Sequence, residues 1–545
     1  MKPRILWCNE CSVLNTGYAT YGREVLSRLY NSGKYELGEH ASYIEHNDPR
    51  IQNLPWTVYA NLPDSNSEED KNNYLSKPSN QFGEWRFDDI CIDMKPHIVM
   101  DIRDFWMCSH EYRSPLRPYY NWAIMPTVDA YPQNEEWLCT YADADGVFTY
   151  QDWSKNILDH EGGGRIKTLG AASPAAAPEF VPLDQEAIKN HMGLNDKMII
   201  GTVMRNQRRK LFPDLFASFR FLLDETGRED VLLYCHTSYP DMGWDLPKLL
   251  LQYNLTSKVL FTYKCKDCKH IFPNYFNDVI TDCPKCGNLS ASFVSVQEGA
   301  SNKDLSVIYS LFDIYVQYAN SEGFGMPQLE AAACGVPVVA VDYSAMSDAI
   351  RKLGGEPIPL AALSLELETG CFRAVPDNNS LIKYLTGFIG LDIEVRQNMR
   401  VAARQAYLKH YNWDVTAQRW GQYFDNVDID IYEKKWISEP KYINIPSEYP
   451  DRISNKDFAR WLIVNLLQEP RFINSYMEAR LIKDLNYSVT TPGLSGMYFN
   501  DDSASPMFHK VNWQPFSRDI AFNHFCELAK RKNHWENKRW QSVKK

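Results

Sequence analysis

Short apolar runs alternate with stretches whose apolar residues recur at helical spacing. ILWCN (5–9) reads as a strand, and TGYATYGREVLSRLY (16–30) reads as a helix carrying Tyr18, Tyr21, Val25 and Leu29 on one face. HIVMDI (97–102), WAIMPTV (122–128) and ADGVFTY (144–150) predict further strands, the last leading into the helix start DWSKNIL. A stretch rich in Ala and Pro without periodicity, GAASPAAAPEFVPLDQE (170–186), reads as a linker. Alternation then resumes. MIIGTVM (198–204), VLLYC (231–235), KVLFT (258–262), DIYVQY (313–318) and VPVVAV (336–341) predict strands. LFPDLFASFRFLL, LPKLLLQYNL, DLSVIYSLF and PQLEAAAC predict the helices between them. Strands alternating with helices imply parallel βαβ units. The chain is therefore expected to be α/β, with two Rossmann-like domains at 1–185 and 186–428 facing a cleft. From about Tyr432 the pattern changes, and 429–545 is expected to be a partly helical extension containing FARWLIVNLL and FINSYMEARLIKDL.

Composition narrows the function classes. The 545 residues carry a formal net charge of −11, which argues against a general affinity for nucleic acid or anionic membrane. A local exception is the end of the chain, which from Lys510 holds nine Lys/Arg against three Asp/Glu, with Trp513, Trp535 and Trp540. MKPRILWCNEC lacks the apolar core of a secretory signal, and no run of 18 apolar residues occurs. The 13 cysteines are an odd number and mostly scattered, as in a reducing compartment. Cys8 and Cys11, with no second pair nearby, read as free thiols. These features place the chain in the cytoplasm, or in a host's cytoplasm if it is viral.

Four cysteines are not scattered. Cys265, Cys268, Cys283 and Cys286 form CxxC-x14-CxxC within YKCKDCKHIFPNYFNDVITDCPKCGNLS. This spacing suits a tetrahedral Zn²⁺ held by four thiolates, a closed site whose metal is structural. The segment 263–297 is thus read as a zinc ribbon inserted in the second domain. A small insert has little core of its own, and a metal holds its shape. Leaving the carboxyl end of a parallel strand, it reads equally as an acceptor-recognition or lid module and as a rigid surface decoration.

The segment SEGFGMPQLEAAACGVPVVA, from Ser321, carries the densest chemistry. Glu322 lies in a glycine-containing turn after a strand, Pro327 suits a helix start, and Glu330 sits one turn inside that helix. Gly323 and Gly325 let backbone N–H groups approach an anion, and the helix N-terminus favours one. Two carboxylates beside an anion site suit a ligand that also offers hydroxyls, as a nucleotide sugar does.

This segment resembles the Glu-x7-Glu signature of glycosyltransferase family 4, a retaining family with the GT-B fold. A second element matching that family is Arg205 followed by Lys210 in GTVMRNQRRKLFPDLFASF, and a third is NKDLSVIYSLFDIYVQYANSEGFG. The resemblance implies that Glu330 holds the donor ribose and Glu322 the donor sugar hydroxyls. It implies that Arg205 and Lys210 neutralise the diphosphate, and that backbone near Phe324, Gly325 and Met326 holds sugar or phosphate. The donor would be a UDP- or GDP-sugar, transfer would need no catalytic metal, and Arg208 and Arg209 could help or be solvated. The sequence departs from the family where many members carry a His near the donor sugar. Here Asp129 stands in WAIMPTVDAYPQ, as a sugar ligand or a turn cap. The N-terminal Gly-rich loop is reduced to NTGYATYG, where Gly17 lies near phosphate or acceptor, or simply starts a helix. Asp143-x-Asp145 reads as a solvated loop. Acceptors of the family include saccharides, lipids, proteins and hydroxymethylated DNA. The ribbon and the basic, Trp-bearing tail point to a macromolecule, and the acidic net charge points away from DNA. An inactive, glycosyltransferase-like binding module is the alternative, disfavoured by the presence of Glu322, Arg205 and Lys210.

Overall fold

The apolar runs become buried parallel strands in a computed structural model that describes residues 1–295, 299–473, 475–486 and 517–544. Lys510, Trp513 and the last ribbon residues 296–297 lie outside the described residues. The first sheet is built from β1 (Arg4–Glu10), β2 (Glu36–Ser42), β3 (Thr57–Ala60), β4 (Ile98–Asp101), β5 (Asn121–Ile124), β6 (Gly146–Thr149) and β7 (Thr168–Ala171). Its order is β3-β2-β1-β4-β5-β6-β7, parallel throughout. The second sheet centres on β8 (Met198–Val203), β9 (Val231–His236) and β10 (Val259–Cys265), followed after an insertion by β14 (Ile314–Gln317), β15 (Val338–Val341) and β16 (Glu356–Ile358). β8, β14 and β15 are buried along their whole length, as strands covered by helices on both faces must be. Both sheets reverse direction of build-up beside their first strand, the arrangement that opens a crevice at the carboxyl ends. This is the GT-B architecture.

Between β10 and β14 lie β11 (Ile271–Tyr275), β12 (Ile280–Asp282) and β13 (Leu289–Phe293). β10 is shared: Val259–Phe261 pair with β9 in parallel, while Tyr263–Cys265 pair with β13 and Leu260–Lys264 with β11, both antiparallel. The cysteine ribbon therefore continues the edge of the parallel sheet. A hairpin of β17 (Leu360–Leu365) and β18 (Phe372–Pro376) follows β16.

The Ala/Pro stretch read as a linker at 170–186 packs against the core over much of its length. Ala172, Ala175, Ala176, Ala177 and Phe180 are buried, and Ala176 N–H donates to Tyr407 Oη at 3.1 Å. The helix Trp413–Asp425 returns to the first domain, where Trp420 Nε1 donates to Tyr21 Oη at 2.8 Å. The extension is largely helical. Phe458, Leu462, Leu466, Leu481, Phe522 and Phe525 form its own small core. Its last helix, Arg518–Lys544, is moored to the first domain, with Tyr119 Oη donating to Glu536 and Lys538 pairing with Asp89, while fully buried Arg539 binds Glu536 at 2.7 Å and donates to Trp436 O at 2.7 Å. Among the described residues no helix is long and apolar enough to cross a membrane.

Candidate functional site

The turn after β14 is held in one conformation by three local devices. Gly325 takes φ +80°, a backbone that side chains rarely adopt, and starts the helix Met326–Ala333 with Pro327 in its first turn. Glu322 N–H donates to Ser344 Oγ at 2.9 Å, and Ser344 itself is strained at φ +54°. Gly323 faces Thr127 of the first domain so closely that a Cβ there would lie 2.3 Å from Thr127 Cγ2.

The loop 205–211 is laid along this turn by backbone bonds from Leu211 N–H to Tyr318 O (3.1 Å) and Asn320 N–H to Arg209 O (2.9 Å). That pairing sets Lys210 Nζ in direct contact with Glu322 Oε1, both side chains being 7% exposed. Gln317 Nε2 donates to the same oxygen at 3.0 Å, and an Arg209 guanidinium nitrogen stands 3.8 Å from Glu322 Oε2. Burial and the neighbouring Arg209 charge lower the proton affinity of Lys210, and the Glu322 carboxylate opposes them. Arg205 is not in this group. It is 44% exposed and binds Asp241 through Nε (2.9 Å) and Nη2 (3.0 Å). Burial alone would raise the Asp241 carboxyl, but Arg205, Ser238 and the Met242 N–H outweigh it and bring it down to about 2.

Glu330 accepts from Tyr309 Oη at 2.8 Å, and burial pushes its carboxyl up to about 7 against that hydrogen bond. Phe324 is buried between Tyr150 and Tyr411, with ring centroids 6.3 Å away in each case. Gly17 brings the first domain's opening helix to Met326, whose sulfur would lie 3.9 Å from a Cβ at Gly17. Thr16 caps that helix. Asp129 reaches across the domains. It accepts from Arg373 Nη1 at 2.8 Å and from Ser321 Oγ at 3.1 Å, while Arg373 Nη2 also binds Glu366 at 2.7 Å. Glu322, Lys210, Gly323 and Asp129 thus gather at the mouth between the sheets, and Arg205 stands on its own mount.

The sequence reading left Arg208 and Arg209 undivided and did not single out Asp104 or Thr127. Arg209 falls inside the cation motif and could have been chosen over its neighbour Arg208 only by knowing the loop's register. Tyr18, Asp104 and Thr127 form a further group across the cleft floor, with Tyr18 Oη 2.7 Å from Thr127 Oγ1 and 3.2 Å from Asp104 Oδ1. Burial raises the Asp104 carboxyl to about 6, against its bonds to Thr127 and Tyr18. Asp143 and Asp145 are not solvated: Arg471 pairs with the first at 2.8 Å and Arg117 with the second at 2.9 Å.

The four ribbon cysteines converge. Cys265 Sγ is 3.7 Å from Cys286 Sγ, Cys268 Sγ is 3.6 Å from Cys283 Sγ, and all four sulfurs lie within 4.8 Å of one another. A tetrahedral zinc with Zn–S of about 2.3 Å needs sulfurs about 3.8 Å apart, so the set fits that ion. Each CxxC closes as a tight knuckle, with Lys269 N–H donating to Cys265 O (3.1 Å) and Gly287 N–H to Cys283 O (2.8 Å).

Residues 292–405 match the family model described as glycosyl transferases group 1. That match lies within the second of the two domains, and the whole has a GT-B fold. Its fold is similar to that of a sucrose-phosphate synthase from Thermosynechococcus elongatus, with a TM-score of 0.57 and 17% identity over 78% of this chain and 98% of that one. Anabaena HepE in complex with UDP-glucose aligns over 78% of this chain and 100% of its own, with a TM-score of 0.55 and 11% identity. WaaG, a glycosyltransferase involved in lipopolysaccharide biosynthesis, gives a TM-score of 0.52 at 12% identity, with 78% and 100% covered. No curated protein matches the chain in sequence. Each of these three alignments leaves about a fifth of this chain unmatched.

Proposed function

We propose that this glycosyltransferase moves a sugar from a nucleotide-sugar donor, a UDP- or GDP-sugar, to an acceptor hydroxyl with retention at the anomeric carbon. The observation that carries this reading is the buried Lys210–Glu322 pair, with Arg209 beside it, at the carboxyl end of β14. A desolvated ion pair is costly unless each charge is used. A donor supplies the use: its diphosphate takes Lys210, and Glu322 is released to accept from sugar hydroxyls. Cations placed against a departing diphosphate stabilise the charge that develops as the glycosidic bond breaks. Arg205 approaches the same phosphates from its mount on Asp241. Glu330 accepts from the ribose hydroxyls, and the N–H groups that open the helix Met326–Ala333 face donor oxygens. Asp129, already 3.1 Å from Ser321 Oγ, contacts the donor sugar from the first domain. UDP-glucose bound by HepE is consistent with such a donor.

Cys265, Cys268, Cys283 and Cys286 would hold a zinc ion. With four thiolates the ion has no open position for water or substrate, so it serves structure.

The test is nucleotide release from UDP-, GDP- and ADP-sugars, with saccharide, lipid and protein acceptors and with DNA bearing 5-hydroxymethylated pyrimidines. Product anomers are assigned by NMR. Release from a UDP- or GDP-sugar with the donor's anomeric configuration kept supports the reading. Inversion refutes retention, and the absence of release from every UDP- and GDP-sugar refutes the donor class.

A further inference from the structure

The cysteine ribbon has a mechanical connection to the donor cations. The loop between β9 and the helix Leu246–Gln252 runs from Thr237 to Asp245 and holds the segment 205–210 at Arg205, Asn206 and Lys210. Asp241 holds Arg205 through two hydrogen bonds of 2.9 and 3.0 Å. Asn206 Nδ2 donates to Trp244 O at 2.8 Å and Trp244 N–H donates back to Asn206 Oδ1 at 2.8 Å. Trp244 Nε1 donates to Lys210 O at 2.7 Å. The two segments touch so closely that a Cβ on Gly243 would lie 2.3 Å from Asn206 Oδ1.

The other side of this loop rests on the ribbon. Tyr239 packs edge-on to Phe276 and Phe293, with ring centroids at 6.1 and 5.9 Å. Phe293 ends β13, whose start is set by Cys283 and Cys286. Phe276 follows β11, whose start is set by Cys265 and Cys268. Both rings also pack on β10, Phe276 against Phe261 at 6.4 Å and Phe293 against Phe261 at 5.2 Å and Tyr263 at 4.8 Å, so they stand between the sheet edge and the four-cysteine knot that ties the starts of β11 and β13.

We propose that the ribbon is a brace for the diphosphate-binding cations: the four-cysteine site fixes Phe276 and Phe293, these fix Tyr239, and Tyr239 holds the loop whose Asp241 and Trp244 position Arg205 and Lys210. Tyr239 and Asp241 are positioning residues in this scheme. It rests on the assignment of Arg205 and Lys210 to the donor diphosphate. It gives the insertion a reason to grow from β10, the strand beside β9, since that is where the cradle loop begins.

The experiment titrates UDP and UMP, and in parallel GDP and GMP, into zinc-loaded full-length protein. The affinity ratio of diphosphate to monophosphate isolates the cations, because a general loss of structure weakens both ligands alike. Tyr239 is only partly buried, and Tyr239→Ala is expected to retain one zinc per chain while lowering the ratio about tenfold, the effect of one misplaced charged hydrogen bond. Protein stripped of metal by chelation is expected to lose the ratio similarly and recover it when zinc is returned. Asp241→Asn serves the same purpose should Tyr239→Ala fail to fold. Lys210→Met is the control for the underlying assignment. If it lowers the ratio while Tyr239→Ala, Asp241→Asn and metal removal leave it unchanged, the brace is refuted and the donor reading stands. If Lys210→Met leaves the ratio unchanged, the donor reading fails and the brace fails with it.

Discussion

Glu330 offers the sharpest prediction because its burial and its proposed role at the donor ribose oppose each other. Burial raises its carboxyl from 4.5 to about 7, while holding a ribose as an acceptor requires it ionised. At pH 8 about nine-tenths of the groups are ionised, and at pH 6 about one-tenth. Nucleotide-sugar affinity should therefore fall about tenfold from pH 8 to pH 6, with a midpoint near 7. A nucleotide sugar is the right probe, since its diphosphate diester has no group titrating in that range. Binding below the midpoint should also release a proton, detected as a buffer-dependent binding enthalpy. Glu330→Gln should bind more weakly at pH 8 and show a flat profile. The same displacement has a stability consequence of definite sign. Between the two values the native state holds a proton that the unfolded chain has lost, so stability falls as pH rises from about 4.5 through 7. The full cost of ionising Glu330 is about 3 kcal/mol at most. Glu330→Gln should thus be more stable than the parent at pH 8 and lose that advantage near pH 5. Affinity independent of pH, or rising as pH falls, would refute the assignment of an ionised Glu330 to the donor.

Lys210→Met leaves Glu322 buried without its cation and should cost about 3 kcal/mol in thermal or denaturant unfolding, with Lys210→Met/Glu322→Gln regaining most of it. A single variant as stable as the parent would show that the pair is not an ion pair. Cys283→Ser should reduce zinc from one ion per chain, measured colorimetrically on protein denatured after dialysis, and should lower the melting temperature. Unchanged zinc content would end the four-thiolate assignment. Gly323→Ala puts a methyl group 2.3 Å from Thr127 Cγ2, pressing the two domains apart at an overpacking cost of about 1–3 kcal/mol. Its turnover should drop about tenfold or more and return in Gly323→Ala/Thr127→Ser, which removes that methyl. Failure of the second change to restore turnover would show that the contact is not what limits the variant.

What could be read from the sequence follows from what keeps apolar patterns intact. β8, β14 and β15 announce themselves because both faces are covered and their residues are uniformly apolar. β2 does not, because ELGEHAS buries Glu39 and His40 within the strand. Glu39 is tolerated there only because Ser12 and the Trp56 indole donate to it, partners that no local window contains. KVLFT ends the apolar run at Thr262, yet the strand continues to Cys265, since Tyr263 and Cys265 turn inward into the ribbon.

The same limit governs the charges, and it changes the reading of the tail. Counted along the chain, the residues after Lys510 are basic. In space, Lys538 binds Asp89, Lys532 binds Glu469 at 3.0 Å, and Arg539 is buried on Glu536. These cations answer acids drawn from the first domain and the extension, so local excess charge there signals mooring to the body of the protein. A surface built to grip phosphates would leave its cations unpaired and aligned along a groove. Conversely, Lys210 and Glu322 stand 112 residues apart, and only the loop's pairing with the end of β14 joins them. Composition therefore overstates the unpaired charge of the described part of the tail and says nothing of the cleft. There the chain sets Lys210 and Arg209 against a buried carboxylate, at an energetic cost that the proposed donor diphosphate would explain and folding alone does not.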